Sequence, residues 1–365
     1  MVGALAAICQ ISPAADSPSQ LEPIHLSGDG SRFVIGDSDR PFRPWGVNYD
    51  HDSTAENGRL LEDYWIDEWP TVESDFAEIA ALGANVVRIH LQVAKFMLSP
   101  TETNAASLAQ LGRLLDLADR NHLYLDLTGL GCYHKQDVPP WYDALDEAGR
   151  WAVQARFWSA IARQCKDHPA VFCFDLMNEP IISGTEKDGW LAGELGGKHF
   201  VQRLTLTPGD RSPQAIAKTW VEKLTVAIRQ EDPDRLITVG VIPWALTWPK
   251  AKPVFYSPEV SSLLDFVCVH FYPKSGEIDK ALTALSVYDI GKPMVIEETF
   301  PLGCSQEELI DFLKRSRDIS EGVVSFYWGK TIAELEADTE HPLQAGMVAA
   351  WLKAFRDLAP DMKAP

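Results

Sequence analysis

At 365 residues, 46% hydrophobic and 23% charged, the chain holds enough apolar material for two average domains or one barrel. A net charge of -19 with no Lys/Arg cluster excludes nucleic acid as a partner, because nothing would neutralise its phosphates. No apolar run approaches the roughly 18 residues of a membrane-spanning helix.

Residues 1–20, MVGALAAICQISPAADSPSQ, carry a short apolar run followed by small residues, Pro and Ser. The pattern resembles the later part of a secretory signal without its basic n-region, and reads equally as a flexible tail. It tilts the expected location towards secretion or the periplasm over the cytoplasm. We read residues 1–24 as tail or signal remnant and 25–365 as one domain.

Residues 24–42, IHLSGDGSRFVIGDSDRPF, set Gly/Asp turn signals between two short apolar segments, which predicts a β-hairpin. Eight strand-like apolar runs follow: RPWGVNY (43–49), ANVVRIHLQ (84–92), HLYLDLTG (122–129), AVFCFDLMNE (170–179), LITVGVIPW (236–244), DFVCVHFY (265–272), KPMVIEET (292–299) and GVVSFYW (322–328). Between them lie amphipathic helical stretches such as 72–83, 107–121 and 212–232. Strand–helix alternation repeated eight times predicts an α/β fold, a single (β/α)8 TIM barrel with the small N-terminal hairpin on its floor. A doubly wound open sheet is disfavoured, since no strand is followed by a Gly-rich phosphate loop. The six cysteines (Cys9, Cys132, Cys165, Cys173, Cys268, Cys304) show no C-x-x-C spacing and read as free thiols, with neither a disulfide framework nor a metal site.

In such a barrel, chemistry sits at the C-terminal ends of the strands. Those ends carry residues that a core would not choose: Arg88 and His90, Asn178 and Glu179, His270 and Tyr272, Glu297 and Glu298, and Trp328. One such group on one strand is usually a satisfied structural residue. Many converging on one rim predict a site. Carboxylates from strands four and seven would face each other across the mouth, one as proton donor and one as nucleophile or base, which is what glycoside hydrolysis needs. Their environments must differ for one to keep its proton. Arg88 and Tyr272 are placed to hold the strand-seven carboxylate ionised, and His270 to sit near the donor.

NEP ending strand four, H-x-Y ending strand six, KP-x-x-x-x-E on strand seven, Trp328 ending strand eight and Arg88 on strand two resemble, as an ordered set, glycoside hydrolase family 5. The resemblance spans roughly 25–358. It implies a catalytic domain that cleaves β-linked glycans with retention, without cofactor or metal. By that resemblance Glu179 is the acid/base, Glu298 the nucleophile, and Asn178 bonds the sugar 2-hydroxyl. Arg88 and Tyr272 position the nucleophile, and His270 and Trp328 line the catalytic subsite. The implied substrate is a β-linked glucan or mannan, or oligosaccharides from them.

Two departures stand out. Thr128 holds the strand-three place where the family usually has His, and Glu297 precedes the nucleophile where a small residue is usual. Spacing from Pro293 selects Glu298 over Glu297. Strand alternation groups Glu298 with Met294 and Ile296 and turns Glu297 to the opposite face, paired with a base. Loop aromatics, among them Trp65, Trp69, Trp141, Tyr142, Trp190, Phe200, Trp244 and Trp248, are divided between stacking on sugar rings and packing within loops. The 33-residue stretch 181–213 is long enough to wall off one end of a cleft, which would favour exo action or short oligosaccharides. Two rival readings remain. A barrel that binds carbohydrate without cutting it draws support from Thr128. A metal-dependent hydrolase built on NYDHD (48–52) is weakened because the chain has no H-x-H.

Overall fold

The computed structural model describes residues 21–52, 58–195, 197–249 and 251–365. The signal-like stretch 1–20, with Cys9, lies outside them.

Strands β1 (Ile24–Leu26), β2 (Phe33–Ile35) and β3 (Arg40–Phe42) form an antiparallel sheet in sequence order. The expected hairpin thus gains a third strand. The chain reverses again after β2 through a turn in which Gly36 and Asp39 take positive φ, a conformation Gly and Asp tolerate. Phe33 and Phe42 pack on Tyr124, Phe172 and Phe266 of the barrel at ring-centroid distances of 5.1–5.8 Å. Val86, Leu236, Val295 and Val324 complete this apolar floor.

The barrel begins with β4 (Trp45–Tyr49), β5 (Val86–Gln92), β6 (Tyr124–Gly131) and β7 (Val171–Asp175). The chain then leaves it to build a small three-stranded sheet from β8 (Pro180–Ile181), β9 (Leu191–Leu195) and β10 (Lys198–Arg203). It returns through β11 (Leu236–Thr238), β12 (Gly240–Val241), β13 (Val267–His270), β14 (Met294–Thr299) and β15 (Gly322–Trp328). All barrel pairings are parallel, and β15 returns to β4. The fifth barrel strand is split at Val239: β11 pairs with β7, and β12 with β13. The two ends of the nine-stranded sheet are therefore halves of one chain segment, and the sheet closes as a (β/α)8 barrel.

Helices lie where the 3.6-residue pattern puts them, at Trp69–Ala81, Ala105–Arg120 and Pro213–Arg229. Asn104 and Ser212 cap the latter two by accepting hydrogen bonds from first-turn N–H groups. Their apolar faces and the outward side chains of the strands, such as Val47, Val87, Ile89, Leu125, Leu127, Met294 and Ile296, make the main core. Cys132, Cys165, Cys173, Cys268 and Cys304 are free.

Candidate active site

The upper interior of the barrel is organised around Arg88, whose side chain is wholly buried. Nη1 donates to Asn48 Oδ1 at 2.8 Å and Glu298 Oε1 at 2.6 Å; Nη2 donates to Asp175 Oδ2 at 3.0 Å and Asn178 Oδ1 at 2.9 Å. Asp175 also accepts the Gly240 N–H at 2.8 Å. Burial works against the guanidinium charge, but Glu297, Glu298 and Asp175 outweigh it and hold the proton firmly.

Glu298 is gripped at both oxygens, Oε1 by Arg88 and Oε2 by the Tyr272 hydroxyl at 2.9 Å. His270 Nδ1 lies 2.9 Å from Glu179 Oε1 and 3.5 Å from Glu298 Oε2; its Nε2 lies 3.2 Å from Glu297 Oε2. A carboxylate oxygen of Glu179 and one of Glu298 come within 4.8 Å of each other. Burial alone would depress the His270 imidazole, yet the charge of Glu298 and contacts with Glu179 and Glu297 push it up to about 10. His90 behaves oppositely: burial and Arg88 push its imidazole down, which favours the neutral form.

Asn178 and Glu179 lie past the end of β7, which stops at Asp175 rather than running to 179 as the apolar run suggested. The Glu179 N–H donates to Gly240 O at 2.9 Å, and its φ of 45° falls in the left-handed region that a glutamate seldom occupies. A strained backbone held by its surroundings is common at functional positions. Asn178 Oδ1 faces Arg88, so its amide NH2 points the other way and gives one hydrogen to Phe200 O at 2.8 Å.

Alternation misplaced the outward and inward faces of β14. Met294 and Ile296 pack on the helix layer, and Val295 belongs to the floor. Glu297 is inside the barrel, fully buried, with Oε2 3.6 Å from Arg88 Nη2. Strict alternation would then turn Glu298 towards the helices. Register shifts at Ile296–Thr299 against β15 and at Val269–His270 against β13 break the parity and bring Glu298 to the mouth as well. Glu297 is paired with a base, His270, as expected, although it shares the interior with Glu298.

Thr128 is fully buried in β6, in register with His90 and Asp175, and its hydroxyl has no partner among the described residues. His90 stacks on Tyr133 at 5.3 Å. Trp328 is buried and stacked on Tyr49 at 5.9 Å, with Phe326 and Tyr327 lining the adjoining cavity instead. Trp141 packs edge-on against Tyr142 and the core. Trp65, Trp69 and Tyr142 are core residues, and Trp190 lies under the Arg150 guanidinium. Trp244, 41% exposed, pairs with exposed Trp248 at 5.2 Å and lines an apolar cavity with Pro180 and Ile182.

Sequence reasoning missed Asn48, Asp126 and Asp175, which surround Arg88 from inside. Each is a lone polar residue in an apolar strand, a signal that was available. It also missed Asp50 and Lys198. In NYDHD every charged side chain already has a protein partner: Asp50 faces Lys198 at 3.7 Å, His51 faces Asp75 at 2.9 Å, and Asp52 accepts from Arg59 at 2.7 Å. That arrangement leaves no cluster of free ligands for a metal there.

The β8–β10 sheet arches over the end of β6 and the loop after it. His199 N–H donates to Tyr133 O at 2.7 Å and Gln202 Nε2 to Leu130 O at 2.8 Å. Its residues Lys198 and Phe200 join Asp50, Gly58, Phe326 and Lys330 around a cavity of about 520 Å³ beside the mouth.

Among solved structures the chain is similar to the exo-β-1,4-mannosidase of Opitutaceae bacterium strain TAV5 (17% identity, TM-score 0.65), covering 93% of this chain but only 62% of that one. It is similar to the β-1,4-mannanase of the sea hare Aplysia kurodai (16%, TM-score 0.61; 94% and 99% covered). It is also similar to the catalytic domain of Thermobifida fusca endoglucanase Cel5A (15%, TM-score 0.57; 93% and 97% covered). No curated protein sequence matches it. The sequence profile of the cellulase family matches residues 47–299, the span from the first barrel strand through the end of the seventh, and so the chain belongs to glycosyl hydrolase family 5.

Proposed function

We propose that the protein is a retaining glycoside hydrolase acting on β-linked glucan- or mannan-type oligosaccharides by double displacement. The observation that carries this is the pair Glu179 and Glu298, one carboxylate held at both oxygens by Arg88 and Tyr272 and the other facing it within 4.8 Å. Retaining enzymes keep their carboxyl groups about 5–5.5 Å apart, and inverting ones about 6.5–9.5 Å to admit a water.

In the first step a Glu298 oxygen attacks the anomeric carbon while Glu179 gives its proton to the departing glycosidic oxygen, leaving a glycosyl ester on Glu298. In the second, Glu179 takes a proton from water, whose oxygen attacks the anomeric carbon and frees Glu298. Arg88 and Tyr272 fix the attacking oxygens in a dry site, where such contacts stabilise charge most strongly. The free N–H of Asn178 is oriented for a sugar hydroxyl. Trp244 and Trp248 offer a platform beside Pro180 for the leaving-group side.

The arch of the β8–β10 sheet, with Lys198 and Phe200 set against Asp50 and Phe326, supports a cleft closed at one end, hence exo action or short substrates. The mannosidase, mannanase and endoglucanase among the similar folds support the glycan class. Incubation with β-mannan, β-glucan, xylan and aryl β-glycosides, with product length and anomeric configuration followed by NMR, tests the reading. Short products released first as the β-anomer are expected. Initial release of the α-anomer would overturn retention. Binding of oligosaccharide by calorimetry with no cleavage of any aryl glycoside between pH 4 and 8 would favour the non-catalytic barrel.

A further inference from the structure

Below the two glutamates of the mouth, Asp126 and Glu297 take no part in the reaction above. Asp126 is 1% exposed, and neither of its oxygens receives a hydrogen bond from any N–H or O–H donor among the described residues. Its side chain nevertheless meets that of Glu297, whose Oε1 likewise receives no hydrogen bond from an N–H or O–H donor among the described residues. Two carboxyl groups bond to each other only when one carries a proton. Glu297 is the one held as the anion, because its Oε2 faces His270 Nε2 at 3.2 Å and Arg88 Nη2 at 3.6 Å.

We propose that Asp126 is a neutral carboxylic acid that donates its O–H to Glu297 Oε1, and that this pair holds His270 as an imidazolium aimed at Glu179. Asp126 and Glu297 are thus positioning residues for the reaction proposed above, on which this part of the inference rests. With both ring nitrogens protonated, His270 Nδ1–H donates to Glu179 Oε1. The other oxygen, Oε2, is left to carry the proton exchanged with the glycosidic oxygen.

The groups facing this pair are Arg88 on β5, Cys173 and Asp175 on β7, Cys268 and His270 on β13, and Glu298 beside Glu297 on β14. Burial and the charge of Glu297 push the Asp126 carboxyl far up, whereas Arg88 and His270 overcome burial to hold Glu297 below the usual carboxylate range. Gly240 gives an independent sign that this contact is built in. A Cβ there would lie 2.2 Å from Glu297 Oε2 and 2.7 Å from His270 Nε2, on top of their hydrogen bond, so only glycine fits.

Infrared spectroscopy of the free wild-type protein at pH 8 tests the proton directly. A protonated-carboxyl C=O band is expected that disappears in Asp126→Asn; its absence from wild type, or its persistence in that variant, overturns the proposal. Nitrogen-15 NMR should find both His270 nitrogens protonated at pH 8 in wild type and one deprotonated in Glu297→Gln. A neutral His270 in wild type overturns it too. Neither readout needs turnover, so failure here is distinguishable from failure of the glycosidase reading. In kinetics, Asp126→Asn should leave the basic limb of the pH profile in place, since an amide N–H replaces the O–H. Glu297→Gln should lower kcat more than tenfold and displace the basic limb of the pH profile, with KM little changed. A purely structural role would lower folded yield and leave that limb where it is.

Discussion

The floor and the mouth of this barrel are built from the same strands and hold opposite chemistry. At the floor the inward side chains are Val86, Tyr124, Phe172, Leu236, Phe266 and Val295, closed by Phe33 and Phe42. Two or three residues further along several of the same strands they are Arg88, Asp126, Asp175 and Glu297. Burying the first set is favourable in itself, at about 25 cal/mol per Å² of apolar surface. Burying the second costs free energy unless every charge is paired, and pairing there is dense because a functional group must be held still in a dry place. One end stabilises the fold, and the other spends part of that stability.

The contrast can be broken from either end. Glu298→Ala and Glu179→Ala are each expected to lower kcat/KM by roughly 10³-fold or more with thermal stability little changed, and azide should partly rescue the nucleophile variant. Steady-state kinetics on an aryl glycoside, with calorimetric melting, checks both halves of that statement. Phe33→Ala is expected to do the reverse. It should destabilise by about 3–5 kcal/mol in urea unfolding while kcat per folded molecule stays within about twofold.

His270 links stability to pH with a definite sign. Its folded value, about 10, lies above the ordinary 6.5, so the stabilisation from its charge is full below pH 6.5 and fades as pH rises towards 10. Urea unfolding across that window should lose on the order of a few kcal/mol in wild type, and clearly less in His270→Gln. Lys198→Ala removes the charged end of the arch against Asp50. Product analysis should shift from short products towards longer ones, with roughly tenfold weaker turnover of short substrates. Trp244→Ala should have the smallest effect, a KM raised about three- to tenfold for oligosaccharides and unchanged for aryl glycosides that leave the platform empty.

Much of the architecture was legible in the chain. Strand-length apolar runs alternating with 3.6-residue periodicity report burial on two kinds of surface, and eight repeats leave a closed barrel as the economical solution. The ordered residues Arg88, Asn178, Glu179, His270, Tyr272 and Glu298 were legible too, because each is a polar group where apolar burial would be more stable. What a residue touches across the barrel is another matter. That Asn48, Asp126 and Asp175 gather round Arg88 depends on which strands become neighbours and in what register. The facing of Glu297 and Glu298 turned on register shifts in β13 and β14, and an irregularity of one residue reverses every later assignment made by alternation. The split of the fifth strand at Val239 and the arch of 181–213 over the β6 loop were likewise decided by long-range hydrogen bonds. Local sequence encodes periodicity, because periodicity reflects burial residue by residue. Parity at a bulge and contact across a barrel are properties of the closed sheet, and they exist only once distant segments have met.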